Sequence, residues 1–320
     1  MGSAIRDYFT MLSDRFGGGW NRFWFTPSDP FSLAVLRIAA GLMAMWFLLS
    51  YSFDLQRLFG AEAMLPVELI DQLGGERFGF SYLDYLHSAG ELYALHAIGL
   101  AVVALFTLGL FARVTSVLTL VVVLSYIHRA PVLTGLFEPI LTLVLFYLCL
   151  GPSGAVLSLD DLRRRSRAAE SNEAPHSWGA TVATRLVQVH LSVIYFMMAF
   201  GKLAEPGDTW WLGDAAWWLM ARPESRVIDL TGVLYDHSYL INAWSHAIVL
   251  FELIFSLLIW NRMARPLLLA LAAPMWISLA LISGQTAFCA MMLIANLAYV
   301  SPAVLRGALQ RPSQGGLQAV

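Results

Sequence analysis

Residues 186–202 read LVQVHLSVIYFMMAFGK, an almost unbroken apolar run that ends on Lys202, the only lysine in a chain with nineteen arginines. A helix needs about 20 apolar residues to cross the hydrocarbon of a bilayer, and with the residues just before it this stretch supplies them. Working outward, the same texture recurs in blocks. Windows of about 19 residues place spans near 31–53, 91–112, 113–131, 135–151, 181–203, 240–260, 262–283 and 284–301. Hydrophobic residues make up 58% of the chain, charged residues 13%, and the mean hydropathy is +0.65. Apolar blocks of this kind describe a polytopic membrane protein. Transmembrane strands would need alternating segments closed into a barrel, and none is visible, so the expected class is all-α with about eight spans.

The domain reading is simple: a polar segment over 1–30, a helical membrane domain over 31–305, and a short tail over 306–320. The first thirty residues carry Arg6, Arg15 and Arg22 and are too polar and aromatic for a cleaved signal peptide. Two loops exceed simple turns, 54–90 and 204–239, and the second contains TWWLGDAAWWLM, a Trp-rich composition suited to interfacial helices at headgroup level. With the N-terminus inside, twelve of the twenty cationic residues fall in inner segments and six in outer ones, which favours both termini inside. The RRRSR run at 163–167 is then an inner loop near lipid headgroups, and the expected location is a bacterial inner membrane. The two cysteines, Cys149 and Cys289, lie in different spans and support neither a disulfide framework nor a metal site, so no metal is expected. A net charge of −2 gives no reason to expect a nucleic-acid partner.

Ionisable groups inside spans cost roughly 2.5–3.5 kcal/mol on insertion scales, which makes each a functional candidate. His96, His128, Arg129, Glu138, Lys202, His246 and Gln285 fall in the outer halves of their spans, and Glu252 lies near mid-depth. That asymmetry predicts a polar cavity opening to the outer face. Gln188, Tyr195 and Lys202 are spaced by seven and share one line along their helix, while Thr134, Glu138 and Thr142 repeat at every fourth position. Simpler readings stand beside these. Lys202 can snorkel from a helix end. Glu138 can pair with Arg129 across PVLTGLF, and His96 and His246 can be hydrogen-bonded core histidines.

The order Tyr195-Phe196, Gly201-Lys202-Leu203, then Trp210-Trp211, Gly213 and Ala215 is similar to the signature of the horizontally transferred transmembrane (HTTM) domain family. That family includes the membrane portion of vitamin K-dependent gamma-carboxylase. RIAAGLMAMWFLL at 37–49 followed by MLPVELI at 64–70, the stretch 125–162, and FCAMMLIANLAYVSP at 288–302 agree in order, so the resemblance spans about 31–305. It implies an enzyme that uses a reduced quinone with oxygen and carbon dioxide at an outward-facing intramembrane cavity. Lys202 matches the lysine that deprotonates the hydroquinone, and His128 a histidine of the turn between the third and fourth helices. Tyr195, Glu138, Arg129, His246, Glu252 and Trp210 are the candidate ligand-binding residues. A peptide substrate or partner protein is implied as well, although the large extramembrane domain of the animal carboxylases has no counterpart in these 320 residues. The alternative is a non-catalytic accessory or maturation protein that holds a quinone or lipid.

Overall fold

The computed structural model describes residues 2–60, 63–64, 79–167, 176–204, 206–222 and 226–309, with side chains from residue 10 onward. The LPVELI part of the first outer loop, residues 168–175 after RRRSR, and the tail from 310 lie outside the described residues. The described chain is helical. A first helix, α1 (Gly2–Phe25), occupies most of the segment expected only to be polar. The apolar blocks become α2 (Phe31–Tyr51), α3 (Ala89–Leu108), α4 (Ala112–Arg129), α5 (Phe137–Leu150), α6 (Trp178–Ala204), α7 (Ser238–Leu258), α8 (Ala264–Ser283) and α9 (Thr286–Asn296).

Each of the eight expected spans has a helix within a few residues of its predicted limits, but the helices differ in length. Six helices, α2, α3, α4, α6, α7 and α8, are long and apolar enough to cross a membrane alone. The fifth, α5, has 14 residues, about 21 Å at 1.5 Å per residue. It is bracketed by Gly135 and by Gly151-Pro152, which stop it early. Helix α9 has 11 residues, runs into a 3-10 turn at Leu297–Tyr299, and then bends by 117° into the helix that starts at Pro302.

Local chemistry sets the helix ends. Ser88 accepts the Glu91 N–H at 3.2 Å while the Glu91 carboxylate accepts the Ser88 N–H at 3.3 Å, a reciprocal cap that starts α3. Gly109 (φ 73°) ends it and Gly284 (φ 70°) ends α8, both in the left-handed region that favours glycine. Asp160 accepts the N–H groups of Phe111 and Ala112 at 3.1 and 3.0 Å, at the start of α4. The fully buried Arg37 on α2 donates to the carbonyls of Ser153 and Leu157, at 2.6 and 2.5 Å, fixing the loop after α5. RRRSR sits on the helix Leu159–Arg167, where Arg164 and Arg165 both pair with the buried Asp161.

Helix α6 is the longest and packs along α7; α2 packs against α3, and α8 against α9. A continuous apolar core joins them, including Leu36, Phe106, Leu145, Leu191, Phe255 and Trp276. The Trp-rich loop folds into short helices at Thr209–Leu212 and Ala215–Met220, lying against α7.

Candidate functional site

The Gln188, Ser192, Tyr195 line on α6 faces protein. The Gln188 amide donates to the Ala298 carbonyl at 2.7 Å. Ser192 takes the Trp260 indole N–H at 3.1 Å and lies 3.1 Å from the Tyr299 hydroxyl. Tyr195 is fully buried and stacked on Phe255 at a centroid separation of 4.0 Å; its hydroxyl accepts from Trp276 Nε1 at 2.7 Å and from the Asn296 amide at 2.9 Å. Burying these groups among saturated partners is the condition for keeping them in an apolar core.

One face of α6 is different. His190, Ile194, Met198 and Lys202, each four residues from the next, form a wall of a cavity of about 550 Å³. Ile140 and Pro139 of α5, Ile248 and Glu252 of α7, Trp276 of α8 and Phe288 of α9 complete most of it, with Trp210 from the Trp-rich loop. The lining is mainly apolar, and its ionisable groups are His190, Lys202 and Glu252, besides the Cys289 thiol. His190 Nδ1 is 2.8 Å from the Tyr147 hydroxyl. In the wall, Lys202 Nζ donates to both Glu252 oxygens at 2.7 Å. Glu252 is 1% exposed and Lys202 19%, so the carboxylate is sealed in the wall and the ammonium reaches the opening. The Trp210 ring lies 5.2 Å from Nζ and covers it, a cation–π contact.

The structure therefore gathers three of the predicted residues, Lys202, Glu252 and Trp210, and sends five elsewhere. Tyr195 does not line the cavity; Trp276 stands between them. The expected pairing of Arg129 with Glu138 is corrected: Arg129 is buried and lies 3.5 Å from Asp84 in the loop between α2 and α3, while the Glu138 carboxylate is engaged by its own turn. Glu138 accepts the Gly135 N–H at 2.9 Å and caps the turn that opens α5, away from the cavity. His128 Nδ1 sits 3.1 Å from the Phe80 carbonyl, remote from Lys202. His246 is exposed, with its ring nitrogens 2.7 Å from the Asn242 carbonyl and 3.2 Å from that of Trp211, so it braces the Trp-rich loop from outside. His96 takes the simpler reading, bonded to Ser52 at 2.9 Å and Tyr126 at 2.7 Å.

Missed in the sequence were His190 and the apolar wall of Ile194, Met198, Ile248 and Phe288. Spacing by four from Lys202 would have found the α6 part. Among the described residues no group of three or more His, Cys, Asp or Glu side chains is placed to hold a metal ion. No model of a protein family matches the chain, and neither a curated protein nor a solved structure matches it.

Proposed function

We propose that the cavity binds a reduced quinone and that the Lys202–Glu252 pair takes up its hydroxyl proton, the first step of an oxygen-dependent, carboxylase-like reaction of the kind the HTTM resemblance implies. The observation that carries the reading is the doubly bonded ion pair in the wall of a mainly apolar cavity. About 550 Å³ lies within the 300–1,000 Å³ typical of small-molecule sites. A prenylated ring fits this donor set: its tail suits the apolar wall and its hydroxyl suits the pair. A bound hydroquinone would supply reducing equivalents to oxygen, and with them the basicity needed to remove a carbon-bound proton before carbon dioxide adds.

Charge decides where the first proton goes. A neutral lysine beside an ionised glutamate would leave a net negative charge in the wall and forfeit the pair. Protonating Glu252 instead leaves the Lys202 ammonium facing the oxygen that has lost its proton. Glu252 is then the acceptor and Lys202 the electrostatic partner, which moves the base from the lysine that the resemblance suggests. Trp210 lies over Nζ and shields one side of it. With the N-terminus inside and the short apolar α5 counted as a crossing, as the sequence reading has it, the Lys202 end of α6 lies at the outer face of the membrane.

The test is hydroquinone consumption under oxygen by purified protein, with folding checked by gel filtration. Glu252→Gln and Lys202→Met are expected to lose about 10²–10⁴-fold in turnover. Lys202→Arg keeps the cation and stays within about tenfold of wild type. A dead Lys202→Arg beside an active Glu252→Gln would return the base to Lys202. Wild-type protein that binds a quinol without consuming it would favour the accessory-protein reading. Full activity in both Glu252→Gln and Lys202→Met would end the proposal.

A further inference from the structure

A second, smaller cavity of about 220 Å³ lies at the other end of α6, between the loop after α1, the start of α2, and the 298–302 bend. Arg185, which lines it, is seventeen residues from Lys202, so the two cavities are about 26 Å apart along the helix. That is close to the thickness of the hydrocarbon, and it places this cavity at the opposite membrane face.

Two guanidiniums line it, those of Arg185 and Arg265. Neither is paired with a carboxylate among the described residues. Arg185 donates to Gln188 Oε1 at 2.9 Å and lies over the Phe23 ring at 4.5 Å; Arg265 donates through Nε to the Ile259 carbonyl at 3.1 Å. Each thus donates one hydrogen bond, and Arg185 also rests on a ring face, with further N–H donors left over. The single carboxylate in the lining, Asp29, is taken: Arg306 donates to its Oδ2 at 2.7 and 3.2 Å, and the Phe31 N–H to its Oδ1 at 3.0 Å. Hydroxyls of Ser32, Thr184 and Ser301 stand around the same space.

Like charges converging in a partly buried, hydroxyl-lined space cost energy without an anion, and a phosphate group matches two arginine forks in charge and geometry. We infer that this cavity is a binding site for a phosphate group, carried either by an anionic phospholipid headgroup or by free phosphate. Basic pockets between membrane helices commonly take such headgroups. The inference does not depend on the quinol reading of the other cavity.

The test is ligand-induced thermal stabilisation of the full chain in a neutral detergent, titrated separately with phosphatidylglycerol, phosphatidylcholine and inorganic phosphate. Phosphatidylglycerol should raise the melting temperature at concentrations where phosphatidylcholine does not. Phosphate raising it too means the anion alone suffices, and phosphate failing means the lipid is the ligand. Arg265→Gln and Arg185→Gln should each weaken the effect about tenfold, while Arg163→Gln, an exposed cation of the RRRSR helix, leaves it unchanged. Equal responses to phosphatidylglycerol and phosphatidylcholine, no response to phosphatidylglycerol or phosphate, or an equal loss in Arg163→Gln would each overturn the site. If the pocket variants do not fold, the wild-type comparison of the two lipids still decides.

Discussion

The α6–α7 wall and the α3–α4 corner begin from the same kind of sequence, ionisable residues inside apolar helices, and end as opposite structures. In the corner, His96 and Tyr126 are buried and bonded to each other, with Ser52 on the second histidine nitrogen. Rings close over them: Phe59 lies 5.0 Å and Tyr51 6.0 Å from the Tyr126 centroid. In the wall, Lys202 and Glu252 satisfy each other but look onto about 550 Å³ of apolar space. A polar cluster that spends its hydrogen bonds inward is a structural brace, whereas one left at the edge of a cavity can still meet a ligand. The sequence reading puts residues of both regions in the outer halves of their spans, so expected depth does not tell them apart.

The largest effect should come from splitting the wall pair from its exposed side. Lys202→Met strands a carboxylate that is 1% exposed, and removing one partner of a buried pair costs about 3–5 kcal/mol. The value should sit near 3, because an orphaned glutamate can take up a proton. Glu252→Gln should cost only about 1 kcal/mol, since Lys202, already 19% exposed at the end of its helix, can reach the membrane interface. The double variant should recover most of the loss. Thermal unfolding in detergent reads all three, and equal losses in the two single variants would show the pair to be symmetric.

The corner gives the next effect. His96→Ala removes the partner of both Tyr126 and Ser52 and should cost about 1–3 kcal/mol. Binding of a quinol analogue, followed by tryptophan fluorescence quenching at Trp210, should not change. A tenfold weaker binding in a folded His96→Ala protein would mean that the two regions are coupled and that the comparison fails.

Much of this was legible in the sequence, for physical reasons that also mark the limit. Apolar blocks placed α2 through α9, because hydrophobic length is a local property, but gave no sign of α1. They did not report that α5 and α9 are short, since the glycines and the bend that stop them lie in residues that score as apolar. Lys202 and Glu252 stood out singly, as any charge in hydrocarbon does. Their pairing spans fifty residues and depends on α6 lying against α7, which no local pattern records. The heptad line through Gln188 and Tyr195 was real but pointed into the core. The cavity line runs by fours through Ile194 and Met198, and such side chains look the same whether they face lipid, protein or a ligand. Arg129 and Glu138 looked paired because they are nine residues apart; Asp84, a more distant partner in the chain, lies beside Arg129 instead.

The smallest effect tests whether the outer brace serves the cavity at all. His246 is exposed, and its ring nitrogens face two backbone carbonyls, those of Asn242 in its own helix and of Trp211 in the Trp-rich loop. Asn242 holds the same loop through its amide, at 2.9 Å from the Leu212 carbonyl, so the loop keeps a tie when His246 is lost. His246→Ala should therefore cost about 0.5 kcal/mol or less, as surface substitutions do. Trp211 follows Trp210, however, and Trp210 covers Lys202. A looser Trp211 backbone should let the covering ring leave more often, so the same variant should release a bound quinol analogue severalfold faster with little change in its association rate. Stopped-flow displacement separates the two rates. Unchanged release would mean that Asn242 and the packing of the loop hold the ring without help, and that the outer face of α7 has no share in the site.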